Sequence, residues 1–213
     1  MAKKHILMLK TFVKVMLGFK KETNLIIPNS YLPSIYQIDY NKLRKNNIDT
    51  LLFDIDNTIT KVDDLKVPKE TINLFQDLKQ NFKILLISNN HKERVEPVAK
   101  QLNVKALWDA GKPENKVYDK ALEMLNSSKE NTVAIGDQIL SDIVGANKYG
   151  LKSILVDQLS KENNIQTGMA QKLQKHMVKK LTKKNLFKKG KYYWKQVKIW
   201  ICGNMKKSYI MKE

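Results

Sequence analysis

The sequence predicts an α/β protein: a doubly wound parallel sheet without a cap domain, carrying basic helical extensions at both ends. Three observations lead there. Between Asp49 and Val156 short apolar runs alternate with amphipathic stretches of helical period. The runs are nearly continuous in their apolar residues, as strands buried on both faces are. Residues capable of chemistry stand immediately after the runs, at the carboxyl ends of strands where such sheets bind their ligands.

The opening 24 residues, "MAKKHILMLKTFVKVMLGFKKETN", place Ile6, Leu9, Val13 and Met16 at helical spacing with Lys3, Lys10, Lys14 and Lys21 interleaved. That is the pattern of a helix lying in an interface. Lys10 and Lys14 interrupt the apolar runs before a signal-peptide core or a spanning helix forms, so the segment is expected to be neither cleaved nor inserted. "LIIPNSYLPSIYQIDYNKLRKNNI", with Pro28 and Pro33, reads as an ordered arm and a short helix. Strands follow at "TLLFDID", "FKILLIS", "KALW", "TVAIG" and "KSILV". Helices begin near Pro68, Glu93, Glu114 and Leu140, each with a proline, acidic or capping residue near its first turn. "KENNIQTG" reads as an exit loop. Beyond it, Ala170, Leu173, Met177 and Leu181 make one apolar stripe, and Trp194, Val197 and Ile201 another, with Tyr192, Tyr193 and Trp200 suited to a headgroup boundary. The predicted organisation is a basic amphipathic segment (1–24), the domain bearing the candidate site (25–160) and a lysine-rich amphipathic tail (161–213). The tail is expected to serve surface binding; the alternative is that its helices pack on the domain and their stripes are core.

Charge follows the same division. The chain has a formal charge of +18. Residues 25–160 hold 18 basic and 18 acidic side chains, so the first 24 residues contribute +5 and residues 161–213 contribute +13. Nearly every base is lysine, with Arg44 and Arg94 the exceptions. Genome bias accounts for lysine over arginine. It does not account for the missing acids at the ends, which point to an anionic partner surface. Cys202 is the single cysteine, so no disulfide framework is possible and nothing argues for an oxidising compartment. The expected location is cytoplasmic, peripheral at the inner face of the membrane.

The stretch "LLFDIDNTIT" sets Asp54 and Asp56 on one side of a strand end, with Ile55 opposite. Crowded carboxylates are costly unless a cation lies between them or one keeps a proton. Ser88 and Asn89 end the second strand, Lys112 lies in the loop after the third, and "GDQILSD" brings Asp137 and Asp142 after the fourth. Singly, Ser88 could cap a helix, Lys112 could be a solvated lysine, and the acids could favour a helix dipole. Together, in order, at successive strand ends, they suit metal-assisted phosphoryl transfer. Asp54, Asp137 and a carbonyl near Asp56 would hold Mg²⁺, Asp54 would attack phosphorus, and Asp56 would act as acid and base. Ser88 and Lys112 would bind the phosphoryl oxygens.

These residues resemble the haloacid dehalogenase (HAD) superfamily, whose first motif is a strand followed by DxDxT, matched by "FDIDNTI". "ISNN", "GKP" and "IGDQILSDIVGANKYG", with the arm from residue 27, are similar to YqeG-type phosphatases of subfamily IIIA and to phosphatidylglycerophosphate phosphatases. The resemblance implies Asp54 as nucleophile, Asp56 as acid/base, Ser88 and Lys112 (with Asn89 beside Ser88) at the phosphate, and Asp54, Asp56, Asp137 and Asp142 at Mg²⁺. It stops near Ser160.

About a dozen residues separate Asp56 from the next helix, and a helix and a strand fill the interval from Ser88 to Lys112. No cap fits there. Uncapped sites favour substrates that cover the site themselves, so the expected partner is a phosphorylated lipid head group at an anionic membrane. The alternative is a nucleic-acid- or ribosome-associated protein with a secondary or different phosphatase activity. Scarce arginine weighs against it. No obligate protein partner is inferred.

Overall fold

A computed structural model describes residues 2–62, 64–159, 165–183, 186 and 189–192. In chain order its strands are β1 (Ser30–Leu32), β2 (Thr50–Phe53), β3 (Lys83–Ile87), β4 (Lys105–Leu107), β5 (Thr132–Gly136), β6 (Lys152–Val156) and β7 (Lys191–Tyr192). Its α-helices are α1 (Ala2–Met16), α2 (Lys20–Leu25), α3 (Tyr40–Lys45), α4 (Lys69–Leu78), α5 (Lys92–Leu102), α6 (Asn115–Leu125), α7 (Val144–Tyr149) and α8 (Ile165–Lys183). A 3₁₀ turn (Ile35–Gln37) and a π-helical turn (Ile139–Ile143) complete the list. The seven strands form one sheet in the order β4-β3-β2-β5-β6-β1-β7. All pair in parallel except β7, which runs antiparallel to β1.

All five sequence-predicted strands are present. The arm supplies a sixth, β1, which the prolines on either side of it disguised. Its backbone pairs with β6, Ser30 opposite Ile154 and Leu32 opposite Val156. Each strand sends alternate residues to opposite layers. Leu51 and Phe53 enter a core with Phe75, Val95 and Val98 from α4 and α5, where the Phe53 and Phe75 rings lie 4.9 Å apart. Leu52 enters the opposite core with Val117, Tyr118 and Ala121 of α6 and Tyr149 of α7. Helices α5 and α6 close with Asn103 and Asn126 in the left-handed region (φ 51° and 44°), where asparagine is the usual substitute for glycine.

A third apolar cluster joins Val15 of α1, Met177 and Leu181 of α8, and Ile139, Ile143 and Leu155 of the central domain. Met177 and Leu181 are buried. Of the first tail stripe, Met177 and Leu181 are therefore core, and α8 begins at Ile165 inside the stretch read as an exit loop. The described part of α8 thus packs against the domain that bears the candidate site. A stripe at helical spacing reports that one face is covered and does not say by what. On α1 the opposite holds: Leu9, Val13 and Met16 are exposed. The second tail stripe, Trp194, Val197 and Ile201, and with it Tyr193 and Trp200, lies outside the described residues. Among those described, no helix is long and apolar enough to cross a membrane.

β2 lies between β3 and β5, with Phe53 level with Leu86 on one side and Ile135 on the other. Parallel pairing therefore brings Asp54, Ser88 and Asp137 to one edge of the sheet. Among the described residues, no domain is inserted between β2 and α4 or between β3 and Lys112.

Candidate active site

Asp54 follows β2 directly, and its N–H extends the ladder by donating to the Ile135 carbonyl at 2.8 Å. Its carboxylate faces the Lys112 ammonium at 2.6 Å and accepts from the Thr58 hydroxyl at 3.3 Å. Lys112 is buried and also donates to Asp142 at 2.6 Å, so one cation bridges two carboxylates. Asp137 follows β5 and is fully buried; its Oδ2 accepts from Gln158 Nε2 at 2.7 Å. Its Oδ1 is buried with no hydrogen-bond partner. Asp142 sits in the π-helical turn, where its Oδ2 accepts from the Gln138 N–H at 3.0 Å. That turn packs so close to β5 that a Cβ on Gly136 would stand 2.5 Å from the Asp142 carboxyl.

The electrostatics follow from burial. Desolvation lifts the Asp54 carboxyl to about 7; Lys112 opposes the lift, and Asp142 and Asp56 add to it. Desolvation, then Asp54 and Asp142, push Asp137 well above the usual carboxylate range. For Lys112 burial alone would lower the ammonium, but Asp142 and Asp54 outweigh it and the net direction is upward. One lysine does not neutralise three carboxylates. Asp54, Asp137 and Asp142 each offer an oxygen within 4.8 Å of the others. With Asp137 Oδ1 left bare, this all-oxygen donor set fits a hard divalent cation.

The Asp56 side chain stands outside that cluster. Arg94, on α5, donates from Nε to its Oδ1 at 3.1 Å, and Asn90 Nδ2 donates to its Oδ2 at 2.8 Å. Ser88 Oγ reaches the same Oδ2 at a long 3.4 Å and accepts from the Asn90 N–H. The Asp56 carboxylate is therefore not among the three that gather for a cation. Asn89, grouped with the phosphate binders, has both ends of its amide committed to the Lys112 backbone: Oδ1 accepts from the Lys112 N–H at 2.7 Å and Nδ2 donates to its carbonyl at 3.2 Å. Those two bonds hold the loop that carries Lys112 against the end of β3. Sequence reasoning missed Arg94, Asn90, Gln158 and Gln174. For Arg94 a signal existed, since it is one of two arginines in a lysine-rich chain. It also holds the turn after Asp56, donating to the Val62 and Lys61 carbonyls and the Thr60 hydroxyl.

A sheet that ends its interior strand β2 in D-x-D-x-T, and faces that turn with a buried lysine and two late acids, resembles that of a HAD-like hydrolase. The family profile described as HAD-hydrolase-like matches residues 109–183. The chain is similar to Probable phosphatase YqeG of Bacillus subtilis (strain 168), 28% identical over 159 residues that span 74% of this chain and 92% of that one. Among solved structures it is similar to the putative HAD-hydrolase YfnB of Bacillus subtilis bound to magnesium (15% identity, 56% of this chain and 91% of that one, TM-score 0.46). It is also similar to a HAD phosphatase from Thermococcus onnurineus (15% identity, 55% and 90%, TM-score 0.46).

Proposed function

We propose that the protein is a Mg²⁺-dependent phosphomonoester hydrolase. It works through an aspartyl-phosphate on Asp54 and converts phosphatidylglycerophosphate to phosphatidylglycerol at an anionic membrane surface. The observation that carries the reading is Asp54 itself: a carboxylate at the end of the interior strand β2, beside a buried lysine and two further carboxylates. An Asp54 oxygen attacks phosphorus and the ester P–O bond breaks. Asp56 gives its proton to the departing alkoxide. Water then attacks the phospho-aspartate, Asp56 takes a proton back, and inorganic phosphate leaves with Asp54 restored. Lys112 favours the ionised form of Asp54 that attack requires, and Lys112 and Ser88 offset charge growing on the phosphoryl oxygens. Asp54, Asp137 and Asp142, with the residue 56 carbonyl, would hold Mg²⁺, which would supply Lewis-acid stabilisation of the phosphoryl group.

Two features support a lipid head group. The uncapped edge leaves exclusion of water to the substrate or the surface that presents it. Helix α1 exposes Leu9, Val13 and Met16, and Leu17 and Phe19 follow its end, all at least 40% accessible. Lys10 and Lys14 border that ridge. Each lysine near an anionic leaflet contributes about 1 kcal/mol.

The test has two arms. Hydrolysis of an aryl phosphate is expected with Mg²⁺, lost on chelation and lost in Asp54→Asn; full turnover by that variant overturns the mechanism. Thin-layer analysis of phosphatidylglycerophosphate after incubation should show phosphatidylglycerol. If aryl phosphate is hydrolysed and the lipid is not, the substrate is wrong while the chemistry stands.

A further inference from the structure

We infer that Gln174, on α8, is a positioning residue for the metal-binding loop, which makes the C-terminal extension a working part of the active site. The inference rests on the reading of Asp54, Asp137 and Asp142 as the cation site. Gln174 Nε2 donates to the Asp137 carbonyl at 2.5 Å, and its Oε1 accepts from the Ile139 N–H at 2.8 Å. One planar amide thus serves an acceptor and a donor on either side of Gln138, as a neighbouring strand would. The chain needs this here, because β5 ends at Gly136 and the π-helical turn starts at Ile139. Backbone groups in between have no ladder to join.

The two bonds act on both late acids. Fixing the Asp137 carbonyl fixes the backbone from which its carboxylate projects, while Gln158 holds Oδ2 and leaves Oδ1 bare. Fixing Ile139 holds Gln138 in place, whose N–H orients Asp142 Oδ2 and whose carbonyl accepts from the Asp142 N–H at 2.9 Å. The register of α8 is set by the same face. Met177 and Leu181, three and seven residues on, are buried against Ile139, Ile143 and Leu155. Lys180 Nζ adds a tie to α1, donating to the Val15 and Met16 carbonyls at 2.8 and 2.7 Å. No side chain but an amide offers a donor and an acceptor in parallel at this reach.

Partners of this kind, one shell beyond the ligands, typically alter metal affinity by roughly 10–100-fold when removed. The experiment titrates metal-free full-length protein with Mg²⁺ and with Mn²⁺ by calorimetry, alongside thermal unfolding. It compares wild type, Gln174→Met, Gln174→Asn, Met177→Ala and Asp137→Asn. Gln174→Met keeps length and helix propensity but removes both hydrogen-bonding groups; Gln174→Asn keeps the amide and withdraws it by one methylene. Both are expected to weaken cation binding by about 10–100-fold. Met177→Ala removes packing beneath the same helix, so it should lower the unfolding temperature and leave affinity near the wild-type value. Wild-type affinity in either folded Gln174 variant overturns the inference. So does an equal loss in Met177→Ala, which would assign the effect to packing. If Asp137→Asn abolishes binding while Gln174→Met does not weaken it, the cation site stands and the positioning role falls. Absence of binding by the wild-type protein overturns both.

Discussion

Asp54 is held in the folded chain well above the ordinary carboxylate value of 3.8, at about 7, so the folded state binds a proton more readily than the unfolded one. The contribution to stability is fully present below the ordinary value and is lost as pH rises through about 7. The metal-free protein is therefore expected to unfold at lower temperature at pH 8 than at pH 5, and Mg²⁺ to raise the unfolding temperature more at pH 8, where no proton competes. Thermal unfolding at both values, with and without Mg²⁺, reads this directly. A metal-free protein that grows more stable across that interval would contradict it. Gly136 makes a second prediction at the same scale. Gly136→Ala would put a methyl 2.5 Å from the Asp142 carboxyl, and because that side chain is pinned by Lys112 and the Gln138 N–H, the clash cannot relax cheaply. A loss of about 1–3 kcal/mol by chemical denaturation is expected, with weaker Mg²⁺ binding. Asp54 and Asp137 were legible because they directly follow apolar runs, and Lys112 only through its place in order with them. Arg94 and Gln174 were not, since each acts from a helix distant in sequence and polar helix residues are by default solvated.

Elements were legible where periodicity settles the partner. β2, with all four residues buried, could only be an interior strand. β1 was hidden because three residues between prolines carry no period, and its pairing with β6 depends on the fold having already formed. Helix α8 carried a clear stripe whose partner, protein or lipid, the stripe cannot name. The structure puts Met177 and Leu181 against Ile139 and Ile143, behind the turn that carries Asp142. Removing residues 161–213 should consequently lower the unfolding temperature and abolish aryl phosphate turnover, since even one buried Met or Leu cut back to Ala costs about 2–5 kcal/mol. A truncated chain with wild-type stability and turnover would return α8 to the status of an appendage.

Across the whole molecule, a neutral body with basic ends leaves surface binding to be tested without disturbing the core, and truncation cannot do that. Helix α1 can. Its inner side, Met8, Phe12 and Val15, packs into the cluster shared with α8, while its Leu9 and Val13, and Leu17 just beyond its end, are exposed. Changing those three to serine removes apolar surface that an interface would bury, at about 1.5–3 kcal/mol per fully buried side chain. It touches no group at the carboxylate cluster. Binding of the triple variant to vesicles rich in anionic phospholipid is expected to fall by more than about tenfold, as is turnover of lipid substrate in those vesicles, while aryl phosphate turnover is unchanged. Salt should weaken wild-type binding through the lysines, because exposed charges are screened over roughly 10 Å at 0.1 M, and should act similarly on the variant, whose charge is the same. A different result separates the rival: if the protein prefers RNA to anionic vesicles at matched salt and the serine variant keeps that preference, the basic ends serve nucleic acid. The membrane reading then fails while the chemistry at Asp54 remains.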